Sequence, residues 1–126
     1  MHHSRLGGVI IDSRTEDLDG EARFWSEALG LPMRQSTNLE DENYVPLDAA
    51  ARDLTIEVQR VSHPSRVHLD IEADDVEAEV RRLEKLGAKR VAQVRTWWVL
   101  EAPSGQRFCV VPAQGEGFAA RATRWP

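Results

Sequence analysis

A single cysteine, Cys109, stands among 126 residues, so no internal disulfide can form and no Cys-x-x-Cys metal or dithiol motif exists. A chain so poor in cysteine is expected in a reducing cytoplasm. Basic residues are in the minority, 16 Lys and Arg against 21 Asp and Glu, for a formal net charge of -5. That balance gives no electrostatic support to a nucleic-acid partner, and the tail "RATRWP" is too short to reverse it. No apolar run approaches the roughly 20 residues of a membrane span, and "MHHSRLGG" carries no signal-peptide apolar segment, so no membrane partner is expected. A Gly-rich phosphate loop and a Ser-His-Asp motif are also missing, "LGG" at 6–8 being too short for nucleotide binding. His2 and His3 are expected to lie inert at a frayed end.

What is present is patterned. Residues 6–13 ("LGGVIIDS") alternate as a strand, with Val9 and Ile11 on one face and Gly8, Ile10 and Asp12 on the other. A helix is predicted from about Asp17, an N-cap residue type, with Leu18, Ala22, Trp25 and Leu29 forming one buried stripe. Phe24 and Trp25 both read as core from this spacing. Gly30 supplies a C-terminal cap and Pro32 stops continuation. Strands follow at "MRQST" (33–37), "NYVPLD" (43–48) and "LTIEVQRV" (54–61), the last with Leu54, Ile56 and Val58 on one face.

After "SHPS" (62–65) the order begins again. "SRVHLDIEA" places Val67, Leu69 and Ile71 on one face and His68, Asp70 and Glu72 on the other. Asp74 and Glu77 have capping-box-like spacing before a helix over about 75–86, which Gly87 ends. "KRVAQV", "TWWVLEA" and "QRFCVV" then read as strands. Leu29-Gly30 thus recurs as Leu86-Gly87 at the same place in a second strand–helix–three-strand unit, which indicates a duplicated βαβββ module. The expected fold is α+β in one domain over 1–126, with module 1 at about 5–61, module 2 at about 65–113 and a tail at 114–126. One helix covers one sheet face in each module and leaves the other face polar. Two such sheets, mixed but mostly antiparallel, would enclose a cup.

The residues predicted to line that cup are Glu57, Gln59, His68, Asp70, Cys109, Trp97, Arg107 and Tyr44. Adjacent Trp97 and Trp98 must point to opposite faces. Trp98 shares its face with Leu100 and reads as helix-facing, which turns Trp97 to the cup, where a planar ligand could stack. Each candidate has a plainer role too. Cys109 fits as a small apolar residue in a strand, and His68 as a structural hydrogen-bonding group. The carboxylates could be paired with Arg60, Arg66 or Arg107 alone.

The stretches "ARFWSEALGLPMR" (22–34), "RVHLDIEADDVEAEVRRLEKLGA" (66–88) and "WWVLEAPSGQRFCVV" (97–111) together resemble the vicinal oxygen chelate superfamily, in particular its glyoxalase-like and bleomycin-resistance-like domains. The resemblance implies a metal held by four side chains, one from the first and one from the last strand of each module. The usual ligands are His or Gln on the first strand and Glu on the last. Carried onto this chain, those positions are Gly8 and Glu57 in module 1 and His68 and Cys109 in module 2. Gly8 has no donor, so the implied set is incomplete. His68, Glu57 and Cys109 remain as candidate ligands for Zn, Fe, Mn or Ni, with Asp70 as a substitute.

Two functions follow from these readings. The first is a protein of unassigned activity that binds a small polar or aromatic molecule in the cup without an intact four-ligand metal site. The second is a metal-dependent lyase, isomerase or dioxygenase using Glu57, His68 and a third ligand. A purely structural domain, with its cup filled by Trp97, is a third. The chain is expected as a monomer or homodimer.

Overall fold

A computed structural model describes residues 1–34 and 42–126, and the predicted strand at 33–37 lies mostly outside them. The order of elements is β1 (His2–Ser13), α1 (Leu18–Leu29), β2 (Tyr44–Leu47), β3 (Thr55–Arg60), β4 (Arg66–Ala73), α2 (Val76–Lys85), β5 (Lys89–Val94), β6 (Trp97–Glu101), β7 (Arg107–Pro112), α3 (Phe118–Arg121) and β8 (Thr123–Trp125). The class is α+β, and most strand pairs are antiparallel. The chain forms two compact units, one of Gly8–Val67 and one of Met1–Gly7 with His68–Pro126. No helix is long and apolar enough to cross a membrane.

In the Gly8–Val67 unit, β1 pairs in parallel with β3, and β2 antiparallel with β3. Asp17 caps α1 by accepting from the Gly20 N–H at 3.0 Å, and Gly30 ends it at φ 70°, a left-handed conformation that suits glycine. Leu18 and Ala22 face a core made with Ile11, Leu47 and Val58. The predicted stripe is shorter than its spacing suggested. Leu29 is 43% and Phe24 59% exposed, because Leu29 sits on the last turn and Phe24 falls off the buried line. Phe24 packs edge-to-face on Trp25, with centroids 5.2 Å apart.

In the second unit, β4 pairs in parallel with β7, β7 antiparallel with β6, and β6 antiparallel with β5. α2 lays Val80 and Leu83 on Ala73, Leu100 and Val110. Each such side chain withdrawn from water contributes about 1.5–3 kcal/mol. The helix cap is Asp75, whose side chain accepts from the Ala78 N–H, and not Asp74 as the capping-box spacing suggested. Asp74 is engaged elsewhere, accepting from the His3 backbone N–H at 2.7 Å.

The histidines at the start of the chain are not frayed. β1 begins at His2, and His2, His3 and Ser4 pair with Trp125, Arg124 and Thr123 of β8. The 114–126 stretch, read from sequence as a tail, therefore contributes α3 and a strand to the second unit.

Candidate functional site

Alternation along β4 turns His68 and Asp70 to the sheet face opposite α2, and the parallel register with β7 sets Cys109 directly across from Asp70. His68 Nε2 lies 3.4 Å from Asp70 Oδ1, with the two side chains 15% and 20% exposed. One donor atom from each of His68, Asp70 and Cys109 falls within 4.8 Å of the others. Cys109 is partly buried.

The same face continues onto β6. Val99 stands opposite Cys109 and Glu101 opposite Arg107, with the Arg107 Nε 3.8 Å from the Glu101 carboxylate. Trp97, two residues before Val99, shares their side. Trp98 takes the other side, packed on the core under α2 with the Arg90 guanidinium 4.8 Å from its ring centroid. At the far end of the β4 row Glu72 is buried and bonded by the Arg5 Nε at 3.1 Å.

Glu57, Gln59 and Tyr44 belong to the other unit. Glu57 sits opposite Ile10, and Gln59 opposite both Asp12 and Tyr44. The Gln59 amide donates to the Tyr44 hydroxyl at 2.8 Å. These three share one face of that sheet, the side away from Ile56 and Val58.

The two registers make the repeat quantitative. Ile10 is to Glu57 as Asp70 is to Cys109, and two residues earlier Gly8 matches His68. Module 2 therefore carries three donors where module 1 carries a glycine, an isoleucine and one carboxylate. The four-ligand arrangement implied by the superfamily does not fit this chain. Of the three module 2 donors, His68 and Asp70 form the pair whose separation suits ligands of one tetrahedral metal. Zinc bonds of about 2.0 Å to nitrogen and oxygen and 2.3 Å to sulfur hold tetrahedral donors roughly 3.3–3.8 Å apart, and the His68–Asp70 separation of 3.4 Å lies in that range.

A glyoxalase-like domain model matches residues 8–111. The chain belongs to the glyoxalase-like domain family. Its fold is shared with proteins of the vicinal oxygen chelate superfamily. The structure resembles methylmalonyl-CoA epimerase from Mycobacterium tuberculosis at 17% identity and a TM-score of 0.64, over 86% of this chain and 88% of that one. A homoprotocatechuate 2,3-dioxygenase variant from B. fuscum matches at 14% identity and a TM-score of 0.60, over 90% of this chain but 33% of the dioxygenase. A 4-hydroxymandelate synthase mutant from Streptomyces coelicolor matches at 15% identity and 0.59, over 94% of this chain and 52% of the synthase. Identities this low establish the fold and leave activity to the site residues. No curated protein sequence matches the chain.

The sequence reading of this glyoxalase-like domain named all three members of the donor group. It missed a second polar cluster, made by His2, Glu79, Arg82 and Trp125. Its members are brought together over 77 residues of separation between His2 and Glu79, for which no periodic or motif signal exists.

Proposed function

We propose that this domain binds a small polar or aromatic molecule on the open sheet face of its second module, without the four-ligand metal centre of its metal-dependent relatives. The observation that carries this reading is the one-sided donor set: Gly8 and Ile10 stand where the repeat places His68 and Asp70. On the open face His68 and Asp70 offer a polar anchor, and Trp97 supplies a flat apolar wall two residues from Val99, the partner of Cys109. Binding without turnover needs no more than this. The test is a thermal-shift screen of aromatic and oxygen-rich small molecules in the presence of a chelator. A ligand that prefers the folded state raises the melting point. The reading requires that the rise persist in chelator and disappear in Trp97→Ala and His68→Ala. Stabilisation abolished by chelator would contradict it.

A second reading rests on the 4.8 Å clustering of His68, Asp70 and Cys109. These three side chains would hold a divalent metal, zinc being suited to a Cys, His and carboxylate set. Such a metal would supply Lewis acidity toward an oxygen of the bound molecule. The domain's resemblance to epimerases and dioxygenases agrees with this alternative in fold.

A further inference from the structure

A concavity of about 500 Å³ lies against α2, the start of β1 and β8, and shares no residue with the open-face group. That volume is in the range of small-molecule sites. One wall is held rigidly. The Arg82 guanidinium donates to both oxygens of the fully buried Glu79 at 2.8 Å, and lies 3.7 Å from the Trp125 ring centroid. The indole N–H donates to the Ser4 hydroxyl at 2.8 Å. The Trp125 ring is thereby fixed before any ligand arrives, which lowers the ordering cost of binding.

The rim carries two exposed cationic side chains, Arg81 and Lys85. Among the described residues Arg81 pairs with one carboxylate, Glu77 at 3.8 Å, and that group is already bonded by Arg90 at 2.6 and 2.9 Å. Lys85 makes no ion pair among the described residues. Arg81 and Lys85 are four apart on α2 and so project side by side. Beside them Leu86 is 67% exposed, a large apolar side chain at the same opening. Lys85 in the last turn complements the helix dipole, but the dipole accounts for neither the exposed leucine nor the anchored indole.

The geometry points to a binding site for a small aromatic carboxylate, with its anionic group between Arg81 and Lys85 and its ring on Trp125 and Leu86. The cationic pair selects an anion, and the anchored indole selects a flat apolar body. This site is separate from the His68 face and stands whether or not that face binds a ligand.

The test is a titration of the full chain with 1-naphthoate, followed by two-dimensional NMR. Saturable shifts are expected at the Trp125 indole N–H and the Leu86 methyls. The exposed double variant Arg81→Glu/Lys85→Glu should bind roughly five- to ten-fold more weakly, as expected for losing two surface charge contacts. The neutral analogue 1-naphthalenemethanol should be weakened similarly against the wild type. The proposal is overturned if Trp125 and Leu86 do not shift, if the double variant binds as well as the wild type, or if the neutral alcohol matches the acid. Shifts confined to Trp97 and its neighbours would also overturn it, placing naphthoate on the open face. A concentration-dependent dimer, lost in the double variant, would assign this surface to a second copy of the chain instead.

Discussion

His2 and Glu79 meet at 2.7 Å with side chains 5% and 0% exposed, joining the first strand of the chain to the middle of α2. The Glu79 carboxylate has no access to water and depends on His2 and Arg82 for compensation. Removing Glu79 leaves the buried His2 without this partner and takes both carboxylate oxygens from Arg82. Glu79→Ala is therefore expected to destabilise the fold by about 3–5 kcal/mol, read from chemical denaturation.

The same cluster sets a pH dependence. Burial alone would raise the Glu79 pKa, but hydrogen bonds from Arg82, His2 and Ser4 outweigh it and hold the group below its ordinary value. Asp74 is lowered chiefly by the His3 backbone N–H, and Glu77 by Arg90. A carboxylate with a depressed folded pKa stabilises the native state above its unfolded pKa and loses that contribution as pH falls through the folded value. The melting temperature should thus decline on acidification below about pH 4.5. Glu79→Gln, which removes one titrating group, should show a shallower decline over that range.

Gly7 is fixed by a close approach. A Cβ at this position would lie 2.6 Å from Glu72 Oε2 and closer still to the Cγ and Cδ of that side chain. Glu72 cannot readily move aside, since it is buried and bonded by Arg5 and by the Gln114 backbone N–H. Gly7→Ala should cost about 1–3 kcal/mol, in the range of overpacked cores. An unchanged melting curve would show that Glu72 has room to shift.

The two adjacent tryptophans should separate stability from binding. Trp98 packs on the core beneath α2, so Trp98→Ala is expected to destabilise by about 3 kcal/mol. Trp97→Ala should leave the denaturation midpoint nearly unchanged and weaken ligands found in the thermal-shift screen. Reversed effects would mean that the sheet faces are exchanged.

That pair shows which parts of this domain were legible in the sequence. Period-two alternation separated Trp97 from Trp98 and grouped His68 with Asp70, because strand geometry is local. Gly30 and Asp17 disclosed the ends of α1 through their own backbone and side-chain chemistry. The cap at Asp75 was misplaced by one residue because Asp74 and Asp75 are equivalent as sequence, and only the contact to His3 distinguishes them. Val67 and Leu69 alternate like core residues yet are 48% and 42% exposed, since periodicity assigns a face and not what covers it. His2 read as terminal and inert because its partner lies in a distant helix, beyond any local rule.

The most direct test of the central claim is the metal content of purified protein after dialysis against zinc, with His68→Ala measured beside it. The open-face binding account predicts far less than one equivalent in the wild type and no difference in the variant. About one equivalent of bound zinc, lost in His68→Ala, would contradict that account and establish His68, Asp70 and Cys109 as a metal centre.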